Sequence, residues 1–130
     1  MLFFSVQITA QHTNLEKAST LFSEQKYSAA QALFQQLIIT DRTDEQANYY
    51  NAKCAKELFA SDAIFLYQQF LSAFPYTSFI QQVNQDLALL YYRDLDYPKA
   101  IKYFLMEWCL LSSHCVELIE VSDVFFIQIF

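Results

Sequence analysis

Glycine is absent from all 130 residues of the sequence, although average usage of roughly 7% would supply about nine. Several kinds of site need glycine because their backbone adopts a positive φ or lies against a ligand. A phosphate-binding P-loop, a dinucleotide fingerprint, a nucleophile elbow and an EF-hand turn are therefore not expected. Tight β-hairpins also lose their usual turn residue, so the sequence favours helices joined by short polar turns.

Positive charge is scarce as well. The chain has 8 Lys and Arg against 14 Asp and Glu, which gives a formal net charge of −6. An acidic chain lacks the electrostatic attraction that supplies most affinity for a phosphate backbone, so no nucleic-acid partner is expected. No stretch reaches the roughly 18 uncharged apolar residues of a transmembrane helix. With 55% hydrophobic residues, the chain can instead form the core of one globular domain.

The residues that carry chemistry do not form a recognisable site. Cys54, Cys109 and Cys115, with only two histidines, lack the four-ligand spacing of structural zinc. Cys54 is expected to be a small buried hydrophobe, and Cys109 and Cys115 form either a disulfide or a free pair. His114 follows two serines, but a triad needs a rigid scaffold and an oxyanion hole. The sequence thus predicts no enzyme activity, no metal and no cofactor.

One apolar pattern occurs three times with the spacing i, i+3, i+4, i+7, i+8, which forms a single stripe on an α-helix. The three copies are Ala30, Leu33, Phe34, Leu37, Ile38; Ala63, Leu66, Tyr67, Phe70, Leu71; and Ala100, Tyr103, Phe104, Glu107, Trp108. The leading alanine predicts a point where another helix packs closely, and Phe34, Tyr67 and Phe104 are expected in the core. The first and third copies also agree in residue type at an offset of 70: Ala18 with Ala88, Leu21 with Tyr91, Tyr27 with Tyr97, Ala30 with Ala100, and Phe34 with Phe104.

These signals predict six helices, near residues 12–23, 28–40, 43–58, 61–73, 77–93 and 97–108. Ser28, Ser61 and Asp96 are the expected N-caps of the three striped helices. Pro75 disfavours helical geometry at the preceding residue, so one helix should end near Phe74.

The stretch from Ala18 to Phe104 resembles tetratricopeptide repeats (TPR). The similarity lies in the segments KYSAAQALF and DYPKAIKYF and in the period of about 34 residues. It departs from the family in lacking the first-helix Trp and Gly, and its middle repeat is one residue short near Phe59 to Ser61. The resemblance implies an all-α, antiparallel helix-hairpin solenoid of about three TPR units that serves as a protein interaction scaffold or adaptor.

In this family the first helix of each pair lines a concave binding face. The positions that match are Tyr49, Lys53, Lys56, Gln85, Tyr92 and Arg93. Three of these are among only eight basic residues, so the expected partner is an acidic peptide or protein edge. The alternative is that they are ordinary solvated side chains. The Lys and Asn pattern of the family's carboxylate clamp is not reproduced.

The two ends differ from the repeats. Residues 1–11 read either as the remnant of a truncated signal peptide or as an apolar segment packed on residues 12–108, the predicted repeat domain. Residues 109–130 form an apolar tail, expected to be irregular. The segment AFPYTSFIQQVNQDLALLYY resembles envelope TPR proteins of Bacteroidetes and the Tol-Pal-associated cell division coordinator, which implies a periplasmic or envelope location, with the cytoplasm as alternative. The chain is expected to be the N-terminal part of a larger envelope protein or, alternatively, a truncated gene fragment without independent function.

Overall fold

The computed structural model describes the backbone of residues 2–111 and the side chains of residues 10 and 12–107. This range is all-α, as the sequence predicts. Its six helices are α1 (Leu2–Ser23), α2 (Tyr27–Thr40), α3 (Glu45–Glu57), α4 (Ala63–Ala73), α5 (Ile80–Arg93) and α6 (Tyr97–Leu111). The chain divides into two compact units, Met1–Thr77 and Ser78–Phe130, called here the N-terminal and the C-terminal unit.

The predicted helices occur in the predicted order, with differences at their ends. Helix α1 begins at Leu2 rather than near residue 12, because no proline or glycine interrupts that segment. Helix α5 begins at Ile80, three residues later than predicted, after a turn over residues 78–79. Helix α4 ends at Ala73 with Phe74 as its C-cap, so the predicted end before Pro75 is confirmed. The interpretation of residues 1–11 as a signal-peptide remnant depends on side chains that lie outside the described part. Residues 112–130 of the predicted tail lie outside it as well.

Consecutive helices pack as antiparallel pairs. In the N-terminal unit α1 packs on α2, α2 on α3, and α3 on α4; in the C-terminal unit α5 packs on α6. The first helix of each hairpin is followed by a residue with left-handed backbone: Gln25 (φ 62°), Phe59 (φ 55°) and Leu95 (φ 63°). This arrangement sets the geometry of all three hairpins, although none of the three residues is glycine.

The same two hydrogen bonds close each of these turns. The N–H of the left-handed residue donates to the carbonyl three residues back, at 3.0 to 3.1 Å. The next N–H donates to the carbonyl five residues back, at 2.9 Å in all three turns. These are the two bonds of a Schellman motif, which satisfies carbonyl groups at the end of a helix.

The middle hairpin is one residue shorter after its turn. Ala30 and Ala100 each donate their N–H to the carbonyl four residues back, at 3.0 Å. Ala63 instead donates to Ala60, only three residues back, at 3.3 Å. The missing residue that the sequence indicates is thus accommodated by a tighter first turn, and α4 begins at the alanine itself.

Only one of the three predicted N-caps is confirmed. Asp96 accepts a hydrogen bond from the N–H of Lys99 at 3.4 Å. Ser28 and Ser61 were wrongly predicted as caps. Helix α2 already begins at Tyr27, so Ser28 lies inside it, while Ser61 lies in the turn before α4. The preceding Schellman turns, rather than the serine hydroxyls, determine where α2 and α4 begin.

The core of the N-terminal unit confirms the predicted stripes. Ala30, Phe34, Ala63 and Tyr67 are fully buried. Cys54 is buried in the same core as Ala30 and Phe34, and its burial raises the pKa of the thiol to about 12. The prediction that Cys54 is a structural hydrophobe is therefore confirmed.

Aromatic side chains connect the helices of this unit. Phe22 of α1 contacts Tyr27 and Tyr50 edge to face, with ring centroids 5.3 and 5.1 Å apart. Tyr50 of α3 also stacks on Phe34 of α2 at 5.5 Å. Each such pair contributes about 0.5–1.5 kcal/mol beyond the burial of its area. Three helices are thereby held around one aromatic cluster.

The C-terminal unit repeats the pattern only in part. Ala100 is buried as predicted, and Tyr91 of α5 stacks on Tyr103 of α6 at 5.5 Å. Phe104, predicted to be buried, is 41% exposed. Its counterpart Phe34 is covered by the following helix α3, whereas no described helix follows α6.

Candidate functional site

A groove of about 550 Å³ opens on the N-terminal unit. It is lined by one face of α1 and one residue of α3: His12, Leu15, Glu16, Ser19, Thr20 and Gln46. Its volume lies within the range of about 300–1,000 Å³ that is usual for ligand sites. Both lining helices are the first helices of their hairpins.

The groove face recurs along the chain with the repeat period. Adding 34 residues converts positions on α1 into positions on α3, the same interval that separates the left-handed residues Gln25 and Phe59. The pairs related in this way are His12 with Gln46, Leu15 with Tyr49, and Ser19 with Lys53. In the first of these pairs both residues, His12 and Gln46, line the groove; in the other two pairs only the residue on α1 does.

The polar groups on α1 are organised by the helix itself. His12 Nδ1 lies 3.3 Å from Glu16 Oε1 one turn further along. The hydroxyl of Ser19 donates to the carbonyl of Leu15 at 2.9 Å, and the hydroxyl of Thr20 donates to the carbonyl of Glu16 at 2.9 Å. In this arrangement both hydroxyl hydrogens are used within α1.

Tyr49 and Lys53, two of the residues predicted from the sequence, contact one another on α3. Tyr49 is only 2% exposed, so its ring belongs to the packed layer. Lys53 Nζ lies 3.1 Å from the Tyr49 hydroxyl and 5.4 Å from the centre of its ring. The ammonium group of Lys53 is thus held at the hydroxyl end of the Tyr49 side chain. Lys56 contacts Glu57, with Nζ 3.4 Å from Oε1.

The other three predicted residues lie on α5, in the C-terminal unit. Gln85 is exposed. Tyr92 is 59% exposed and meets Tyr97 of α6 edge to face, with centroids 5.6 Å apart. Arg93 Nε lies 3.0 Å from Asp94 Oδ1, at the end of the helix. These three residues belong to the C-terminal unit, whereas Tyr49, Lys53 and Lys56 belong to the N-terminal unit.

The sequence reasoning missed the contribution of α1. It considered the first helices of the second and third repeats, whereas the groove is lined mainly by the first helix of the first repeat. The signal was present, because the 34-residue interval that relates Leu15 to Tyr49 and Ser19 to Lys53 can be read from the sequence. The contact between His12 and Glu16 could also have been predicted, because residues four apart lie on one face of a helix.

Within the described side chains, no three His, Cys, Asp or Glu residues are grouped so as to hold a metal ion. Nor is any helix of the described range sufficiently long and apolar to cross a membrane. No protein-family model matches the chain, and no curated protein matches it either.

Proposed function

We propose that the chain is a protein-interaction module of the tetratricopeptide type, and that the groove of its N-terminal unit binds a peptide segment of a partner. The single observation that carries the proposal is that the groove lies between α1 and α3, the first helices of two successive hairpins. A surface built from equivalent positions of consecutive repeats suits an extended chain, which can contact each repeat in turn.

The repeat geometry supports the same proposal. The left-handed residues that end the three first helices follow one another at intervals of 34 and 36 residues, and each has the same pair of hydrogen bonds. The leading alanines of the three second helices are all buried. The resemblance to envelope TPR proteins favours a periplasmic or envelope partner, and the module then acts as a scaffold or adaptor within a larger assembly.

The test is selection of a random peptide library, displayed on phage, against the immobilised full chain. Gln46→Trp places a large ring in the groove from an exposed position of α3. Gln35→Trp, at an exposed position of α2 outside the groove, is the matched control. Selected peptides are expected to bind the wild type and Gln35→Trp alike and to bind Gln46→Trp about tenfold more weakly or worse, a loss of about 1.4 kcal/mol.

Far-UV circular dichroism of both variants checks that the helices are intact. Equal binding of the selected peptides to the two tryptophan variants would place the binding surface elsewhere and refute the proposal.

A further inference from the structure

We draw no further inference here: the strongest candidate, the exposed apolar surface patch of Ile101 and Phe104 on α6, carries no proposal because nothing in the described part of the chain shows what covers it.

Discussion

Replacing Phe59 by glycine should stabilise the protein, although it deletes a large aromatic side chain. Phe59 follows α3 with φ 55°, a left-handed conformation that brings Cβ close to the following carbonyl oxygen. Its side chain is 78% exposed, so little packing is lost with it. Glycine has no Cβ and adopts this conformation without steric penalty.

The size of the effect follows from two opposing contributions. Left-handed geometry costs a residue with a side chain about 1–2 kcal/mol. Glycine loses more conformational freedom on folding, which costs about 0.5–1 kcal/mol relative to alanine. Phe59→Gly should therefore be more stable than Phe59→Ala by about 0.5–1 kcal/mol. Comparing these two variants isolates the backbone effect, because both lack the aromatic ring.

The neighbouring residue provides the control. Leu58, the C-cap of α3, has φ −82° and ψ 1°, a conformation open to any residue. At this position the order should reverse, with alanine more stable than glycine by about 0.5 kcal/mol. Urea unfolding followed by far-UV circular dichroism measures all four variants, and equal m values would show that the comparison concerns the folded turn.

The same test applies at Gln25 and Leu95, the other two left-handed positions. The free energy of unfolding should be about 2 kcal/mol larger with glycine at all three positions than with alanine at all three, if the turns contribute independently. If alanine proved as stable as glycine at Phe59, the left-handed turn would be absent in solution and the reasoning about the hairpins would be wrong.

Three further changes test the interior of the N-terminal unit. Ala30→Leu should destabilise the protein by about 1–3 kcal/mol, because the larger side chain overpacks a buried position. Ala29→Leu, at the exposed neighbouring position, should be nearly neutral. Similar thermal denaturation of the two variants would contradict the repeat register. Asn51→Leu should stabilise by about 1 kcal/mol, because the buried Asn51 Oδ1 has no hydrogen-bond partner, and a loss of stability in urea would contradict this. In a variant whose other cysteines are serines, Cys54 should react with iodoacetamide only as the chain unfolds. Burial raises the pKa of the Cys54 thiol from 9.0 to about 12. The contribution of the buried thiol to the free energy of unfolding should therefore be present below pH 9.0 and be lost as the pH rises towards 12. Rapid labelling of Cys54 in the native protein would contradict its burial.

The repeat pattern of the sequence was sufficient to predict six helices and the buried alanines Ala30, Ala63 and Ala100. These features depend on local periodicity, since a helix places residues three and four apart on the same face. The shortened middle hairpin was also visible, because the interval from the turn to Ala63 can be counted along the chain.

The turn geometry was not predictable in the same way. Glycine is the usual sign of a left-handed helix end, and this chain has none. The hydrogen bonds that close the turns at Gln25, Phe59 and Leu95 depend on how two helices meet, which is not encoded in the identity of those residues alone. Ser28 was misassigned as a cap for the same reason, because the preceding turn determines where α2 begins.

The candidate site could likewise be predicted from the sequence only in part. The sequence determined which face of each first helix recurs, and it contained the interval that relates Leu15 to Tyr49. Only the tertiary structure decided that Tyr49 is buried, that Phe104 is partly exposed, and that the groove opens beside α1. Burial and open volume depend on which neighbouring helix covers a face, and periodicity along one helix does not contain that information.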